Sequence, residues 1–265
     1  MNIRKYYMAG AVQLYSLRSF VAGFYLSLLY YPAELIILYF IWMTIYRGIG
    51  VTMIGGFTFT ALISYFVLQR ILSRFLPSGS ISRELDNLIN SGDLITYLAR
   101  PVHYVTFKLS QTLFLSALQT VLGCVSFVIV ATVLGLTMSF QGADWLAFLP
   151  LIVMSLLITF LLDFSVGILA FWLGRIESLR VVYSLLLRLV SGALVPMSFF
   201  PQGLQIFLSI LPFQYLYYVP VSVVIGTTEV TARTYAIPAL WILILSVMLF
   251  FAWSRGLKRF EIQGG

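Results

Sequence analysis

The sequence of 265 residues contains few charged side chains, since Asp, Glu, Lys and Arg make up 9% of it, against about 25% in a soluble domain. Hydrophobic residues make up 61% of the chain. No water-soluble fold of this length covers that much apolar surface, which excludes an ordinary soluble protein. We therefore predict an all-α integral membrane protein with one domain over residues 1–265.

Cysteine, histidine and lysine are also scarce, which removes several kinds of site. One cysteine, Cys124, and one histidine, His103, are too few for a disulfide framework, a Cys–His nucleophile or a zinc site. None of the three lysines lies in the Gly-x-x-x-x-Gly-Lys-Ser/Thr pattern of a phosphate-binding loop. Glu84, Asp86 and Asp93 lie on a loop without an evident cleft. We expect no catalytic residue, no metal site and no ATP site in this chain.

What the chain does contain is a series of long apolar stretches, each near the length that a ~30 Å hydrocarbon layer requires. Polar and apolar residues in 3–20 follow a helical period, which predicts an amphipathic helix lying in the membrane surface. The alternative is that 3–20 extends the first membrane span. We predict six spans, at 21–46, 54–73, 107–137, 148–173, 180–196 and 237–254.

The positions of the basic residues predict how the spans are oriented. With the N-terminus in the cytoplasm, the cytoplasmic segments hold 14 of the 16 Lys and Arg residues, including Arg70 and Arg188. Only Arg47 and Arg233 lie outside. This is the positive-inside pattern, and it predicts that both termini are cytoplasmic. It also accounts for the net charge of +7 without a nucleic acid partner.

Residues 197–226 are apolar and long enough to be mistaken for a seventh span. Prolines interrupt this region, and a proline inside a helix removes a backbone hydrogen bond. A seventh span would also move the basic C-terminal residues out of the cytoplasm. We predict a pair of short helices that enter the outer leaflet and return. The four prolines are Pro196, Pro201, Pro212 and Pro220.

The longest cytoplasmic loop, about 74–106, is the most polar stretch of the chain. It predicts a short amphipathic helix that starts near Ser82 and stops at Gly92, and a second helix that Asp93 caps and Arg100-Pro101 ends. A helix across the cytoplasmic face provides a surface on which a soluble partner could bind and move the spans. On composition alone, an ordinary solvated loop is an equal alternative.

Two short patterns, in this order and at this spacing, carry a resemblance to a known family. The first is Ile89-x-x-Gly92-Asp93-Leu94-x-x-x-Leu98-x-Arg100-Pro101. The second runs from Ser191-Gly192-x-x-x-Pro196 through Phe200-Pro201 and Leu211-Pro212-Phe213 to Pro220 and Gly226. Together with the order of the spans, they resemble the type-2 ABC permeases, which are the membrane subunits of ATP-driven exporters.

The resemblance implies that residues 83–101 dock on a separate ATPase subunit and that 197–226 form an outer gate. It also implies two ATPase subunits, which hold the ATP and magnesium, and a second copy of this chain or a similar permease. The location implied is the bacterial cytoplasmic (inner) membrane, in contact with its lipids. The implied coupling residues are Arg83, Glu84, Leu85, Leu88, Gly92, Asp93, Leu94, Leu98, Arg100 and Pro101. The implied outer gate residues are Pro196, Phe200, Pro201, Pro212, Phe213 and Pro220. The implied minor contact residues are Arg175, Glu177 and Arg180.

Charged residues inside the predicted spans are the remaining candidates, because each costs roughly 2.5–3.5 kcal/mol at mid-membrane. Asp163 and Arg188 lie at similar depths in consecutive spans, so we predict that they form an ion pair. A substrate or proton site is the functional alternative. Glu34 has no basic partner that the sequence identifies at its depth. It binds either a positive group of a substrate or a group across a dimer seam.

A secondary transporter or channel driven by an ion gradient is the alternative function. Such proteins usually contain internal repeats and helices broken at mid-membrane. The sequence shows no repeat, and its proline-rich break lies at the outer edge. A membrane-embedded enzyme would need a polar constellation that the sequence does not contain.

Overall fold

The computed structural model describes residues 17–77, 79–101, 103–134 and 145–264, and these are almost entirely helical. The predicted surface helix at 3–20 lies outside the described residues except for its last four positions, which belong to α1. The helices are α1 (Leu17–Ile49), α2 (Phe59–Phe75), α3 (Ser80–Ser91), α4 (Leu94–Leu98), α5 (Tyr104–Leu134), α6 (Trp145–Ile168), α7 (Ala170–Leu173), α8 (Glu177–Val190), α9 (Gln202–Ile210), α10 (Tyr218–Ile225) and α11 (Ala232–Gly264). A two-stranded hairpin, β1 (Met53–Ile54) and β2 (Phe57–Thr58), joins α1 to α2.

Long apolar helices lie where most of the spans were predicted. Among the described residues, three helical stretches are long and apolar enough to cross a membrane, and they are Phe59–Ser91, Trp145–Leu173 and Ala232–Phe260. α1 and α5, with 33 and 31 residues, lie on the spans predicted at 21–46 and 107–137. At 1.5 Å per residue, each is long enough for a ~30 Å layer.

The fifth predicted span, 180–196, is only partly helical. α8 has 14 residues and ends at Val190, so it is about 21 Å long. Gly192 follows it with a φ of +84°, a left-handed conformation that ends a helix. The prediction of a helix up to residue 196 is therefore wrong. The segment after α8 nevertheless reaches the β hairpin. The Phe199 ring occupies the space that a Cβ atom on Gly55 of the hairpin would fill.

The region 197–226 contains two short helices, as the prolines predicted. α9 has nine residues and α10 has eight, so they are about 14 and 12 Å long and neither can cross a membrane alone. One-turn 3₁₀ helices at Met197–Phe199 and Pro212–Tyr215 precede them.

α6 is the central helix, and its contacts define three levels. Near its first turn, the Ala147 carbonyl accepts a hydrogen bond from the Tyr235 hydroxyl of α11 at 3.1 Å. Eight residues further along, the Ser155 hydroxyl donates to the Leu216 carbonyl at 2.6 Å. Another eight residues along, Asp163 contacts α3. Eight helical residues span about 12 Å. The position of a contact along α6 therefore gives its relative height in the molecule.

The core lies around α6, while much apolar surface points outward. Leu156, Phe160 and Phe164 of α6 are buried, and Trp253 of α11 stacks on Tyr104 with ring centroids 5.6 Å apart. The other faces of α8 and α11 expose large aliphatic and aromatic side chains. Such a surface suits lipid or another membrane protein.

Candidate functional site

α3 lies across the end of α6 with one face buried. Ile81 and Leu85 of α3 are 1% and 0% exposed. A Cβ atom on Gly167 would lie 2.8 Å from Leu85 Cδ1 and 2.9 Å from Ser82 Cα, closer than such atoms approach. Gly167 is therefore what allows the backbone of α3 to approach α6 closely at this point.

The first polar tie of α3 is to α6. Asp163 Oδ2 accepts a hydrogen bond from the Ile81 backbone N–H at 3.0 Å, and Asp163 is 1% exposed. The N–H groups in the first turn of a helix have no partner within it, and a carboxylate there also opposes the helix dipole favourably. Asp163 thus fixes the position at which α3 begins.

The predicted ion pair between Asp163 and Arg188 does not form. The ion pairs of the described residues are Arg70–Glu34, Lys108–Glu84 and Arg180–Glu177. Asp163 lies at the level of α3, and α8 also starts at this level. Arg188 is eleven residues along α8, which places it about 16 Å away from that level. The difference in height is the reason that the prediction is wrong.

The second tie joins α3 to the start of α8. Asp86 Oδ1 accepts from the Ile176 backbone N–H at 3.3 Å and from Asn90 Nδ2 at 2.7 Å. Ile176 immediately precedes α8, and Asp86 is buried. A displacement of α3 therefore pulls on the first turn of α8.

The third tie joins α3 to α5. Glu84 forms an ion pair with Lys108, and Lys108 Nζ also donates to Gln111 Oε1 at 2.8 Å. Lys108 is 6% exposed, although it lies only one turn into an apolar helix. Sequence reasoning missed Asp86 and Lys108 as partners. The sequence signal for this tie was a lysine within an apolar helix, near the predicted membrane boundary.

The opposite face of α3 and most of α4 are exposed. Arg83, Asn87 and Ser91 are exposed on α3, and Ile95 and Leu98 expose apolar side chains on α4. Gly92 has a φ of +80° and ends α3, as predicted. The exposed surface of this segment is therefore polar on α3 and apolar on α4.

Two details of the predicted caps are wrong. α3 begins at Ser80 after Gly79, and the Ser82 hydroxyl donates to the Gly79 carbonyl rather than capping the helix. Asp93 precedes α4 without a side-chain cap, because its carboxylate accepts from the Ser91 hydroxyl at 2.7 Å.

The predicted coupling residues divide between the two faces. Leu85 and Leu94 are buried and Leu88 is half-buried, so a partner protein cannot reach these side chains readily. Arg83, Asp93, Leu98, Arg100 and Pro101 are exposed, Gly92 is half-buried, and Glu84 is half-buried in its ion pair. Arg100 lies over the Tyr97 ring, 4.9 Å from its centroid.

Glu34 has a basic partner that the sequence did not identify. Arg70 Nη2 of α2 lies 2.5 Å from Glu34 Oε1 of α1. The assignment of Arg70 to the cytoplasmic edge hid this pair, because Arg70 lies within α2, five residues before its end. The expectation that Glu34 has no basic partner is wrong.

The predicted outer gate residues lie along the short helices of 197–226. Pro196, Pro212 and Pro220 are buried, Phe200 and Phe213 are half-buried, and Pro201 is exposed. Hydrogen bonds hold the segment to the rest of the chain, including Trp241 Nε1 to the Ile210 carbonyl at 2.8 Å. Among the described residues, no group of three or more His, Cys, Asp and Glu side chains is arranged to hold a metal.

The profile of one protein family, described as ABC-2 family transporter protein, matches residues 33–264. This chain belongs to that family. A search among curated proteins found no match. The match to the ABC-2 family includes α3, α4 and the whole of 197–226, so both patterns that carried the resemblance lie within it. Permeases of the ABC-2 family are multi-pass membrane components of transporters whose ATP site lies in ATPase partners.

Proposed function

We propose that this ABC-2 protein is the permease subunit of an exporter. Two copies, or this chain and a similar permease, form the substrate pathway, and two separate ATPase subunits hold ATP and magnesium. The pathway crosses the bacterial cytoplasmic membrane, with both termini in the cytoplasm. The family match and the arrangement of α3 support this proposal.

The observation that carries the proposal is that α3 holds three spans at one level. Asp163 ties its start to α6, Asp86 ties its middle to α8, and Glu84 ties it to α5. Its other face is exposed. A protein that docks on that face and moves therefore displaces three helices together, which is what an ATPase must do to drive a permease that binds no ATP.

Six crossings are supported by the heights of the contacts. The chain after Ile176, next to α3, reaches the β hairpin at Phe199. α8 and the irregular segment that follows it thus extend over the same height as a full span. Together with α1, α2, α5, α6 and α11, this makes an even number of crossings, so both termini lie on one side.

A re-entrant course for 197–226 is supported by where its turn lies. The Ser155 hydroxyl contacts the Leu216 carbonyl about 15 Å along α6, and Trp241 contacts the Ile210 carbonyl about 13 Å along α11. Residues 210–216 therefore lie deep along both helices, while Phe199 lies at the outer hairpin. We infer that α9 descends into the outer leaflet and α10 returns.

The experiment is a pull-down of the full-length permease from native membranes, with ATP hydrolysis and transport measured in the recovered complex. We expect an ATPase subunit to be recovered with the wild type. Ile95→Asp places a charge on the exposed apolar part of α4 and should reduce recovery about tenfold, if docking there loses ~1.4 kcal/mol. Val230→Asp is the matched control, since Val230 is also exposed but lies beyond 197–226, in the segment before α11.

Recovery of the ATPase that is unaffected by Ile95→Asp would reject the docking surface. Transport by the purified chain without ATP, driven by an ion gradient, would reject the ABC permease function and favour a secondary transporter.

A further inference from the structure

Arg70 and Arg188 lie at the same height in the molecule. The Tyr65 hydroxyl of α2 donates to the Gly192 carbonyl after α8 at 2.6 Å, which sets these two helices in register. Arg70 is five residues beyond Tyr65, and Arg188 is four residues before Gly192. Because α2 and α8 run in opposite directions, both arginines lie about 6–8 Å from this hydrogen bond on its inner side.

Tyr217 lies near both arginines. Its neighbour Tyr218 donates its backbone N–H to the Ser191 carbonyl at 3.2 Å, so this part of 197–226 lies against the end of α8. Arg188 and Arg70 are the charged groups whose electrostatic fields act on the Tyr217 hydroxyl. One buried tyrosine from 197–226 therefore lies within electrostatic range of arginines from two helices.

The charges of this cluster do not balance. Glu34 neutralises Arg70. Arg188 is exposed, and it makes no ion pair and no side-chain hydrogen bond with any described residue. Its neighbours on α8, Leu185 and Leu189, are exposed apolar residues. Among the described residues, one positive charge is therefore left over at this height, beside an apolar surface.

An arginine at this height is unfavourable against hydrocarbon, so it faces either water or an anionic group. α8 starts next to α3, and Arg188 is about 16 Å from that level, too far for the side chain to reach the membrane surface. A guanidinium group binds phosphate and carboxylate through two parallel hydrogen bonds.

We propose that Arg188, at the height of Arg70, forms an intramembrane site that binds the phosphate or carboxylate group of an anionic amphiphile. This inference rests on the proposed function, because it names the class of cargo that the permease carries. Arg188 binds the anionic group, and the apolar face with Leu185 and Leu189 contacts the hydrocarbon tail.

The test is a binding assay with the purified full-length chain in nanodiscs of phosphatidylcholine, which carries no net charge. The probe is oleoyl lysophosphatidic acid with a fluorophore on its acyl chain. Competitors are unlabelled oleoyl lysophosphatidic acid, lysophosphatidylcholine, oleylamine and inorganic phosphate. We expect the lysophosphatidic acid to compete best, and inorganic phosphate to need at least ~100-fold higher concentration, since it lacks the apolar contacts.

The variants separate charge from structure. Arg188→Gln should weaken binding of the probe about tenfold or more, whereas Arg188→Lys, which keeps the charge, should stay within about threefold of the wild type. Glu34→Gln removes the negative charge from the cluster and should strengthen binding about threefold or more. Arg255→Gln removes an exposed charge at the cytoplasmic end of α11 and should leave binding unchanged.

Equal binding of the probe by the wild type and Arg188→Gln, with both proteins monodisperse, would overturn the inference. So would stronger competition by oleylamine than by the lysophosphatidic acid, or a loss of dimer mass in Arg188→Gln with unchanged affinity for the probe. Competition by inorganic phosphate at equal concentration would show a site for the free anion and would also overturn it.

This assay uses no ATPase, so its failure is distinct from failure of the proposed function. A chain that recovers an ATPase but binds the probe independently of Arg188 keeps the permease function and loses the anionic site. A chain that binds the probe through Arg188 but never recovers an ATPase keeps the site and loses the exporter assignment.

Discussion

The Asp163 carboxylate accepts a hydrogen bond from the Ile81 backbone N–H at 3.0 Å, although the two residues are 82 positions apart. Through this bond the central helix α6 holds the first turn of the short helix α3. Ser82, the next residue, lies against Gly167 one turn further along α6. The hydrogen bond and the close backbone contact therefore fix both the height of α3 and its distance from α6.

Replacing Asp163 by Ala should destabilise the protein. The Ile81 N–H is buried with its carboxylate partner, and a buried donor left without an acceptor costs about 1–3 kcal/mol. Asp163→Asn retains an acceptor oxygen and should lose less. The measurement is thermal unfolding of the purified protein followed by tryptophan fluorescence. Asp93→Asn, at an exposed carboxylate, is the control, and an unchanged midpoint for Asp163→Ala would contradict the role of the bond.

Replacing Gly167 by Ala should push α3 away from α6. The new Cβ would meet Ser82 Cα, a backbone atom, at 2.9 Å, so relief requires movement of the helix rather than of a side chain. Overpacking of this kind typically costs about 1–3 kcal/mol. We expect a lower unfolding midpoint and reduced ATP-driven transport.

Gly203→Ala is the matched control for this change. Gly203 lies in α9, and a Cβ there would meet nothing within 4 Å. Equal midpoints for Gly167→Ala and Gly203→Ala would show that α3 does not lie against α6 as described.

Exchanging the charges of Glu84 and Lys108 should restore what each single change removes. Lys108→Glu places two carboxylates together and Glu84→Lys places two ammonium groups together, so each should impair coupling of ATP hydrolysis to transport. The double variant recreates an ion pair. Since the Glu84 side chain is 37% exposed, we expect a coupling energy of only about 0.5–1 kcal/mol.

A double-mutant cycle on transport rate measures this coupling energy. The cycle should give a smaller value at high ionic strength, because salt screens the exposed Glu84 side of the pair. Additive effects of the two substitutions would contradict a functional tie between α3 and α5.

Arg70→Gln should be more harmful than the double variant Glu34→Gln with Arg70→Gln. The Glu34–Arg70 pair is largely enclosed between α1 and α2, with side chains 25% and 14% exposed. Removing one partner leaves an uncompensated charge away from bulk water, whereas removing both leaves none. Yield of folded protein from membranes and its unfolding midpoint measure the difference, and a double variant worse than Arg70→Gln would contradict the pairing.

Local features of the chain were predictable because they depend on neighbours in sequence. The apolar stretches located the long helices, since a hydrocarbon layer requires a minimum helix length, although α11 continues to Gly264, ten residues beyond the predicted end of the last span. Gly92 ends α3 as expected because only glycine adopts a φ of +80° without strain. The prolines of 197–226 correctly indicated short helices instead of one long one.

The partners of the charged residues were not predictable in the same way. A charge inside an apolar helix shows that a partner is needed, but the choice of partner depends on how the helices are rotated and how far each is shifted along its axis. Asp163 was predicted to pair with Arg188 because the two residues have similar estimated depths. In the structure Asp163 instead contacts Ile81, because α3 lies at the height of Asp163. Glu34 was left without a basic partner because Arg70 was placed at the membrane edge.

The sequence by itself determined that this chain is a helical membrane protein, approximately where its long apolar helices lie, and which family it resembles, because each of these follows from patterns among near neighbours. Only the tertiary structure decided that α3 is tied to α5, α6 and α8, and that Arg188 lies level with Arg70 and has no partner among the described residues. Those relations join residues far apart in the chain, and packing of the helices alone sets the distance between them.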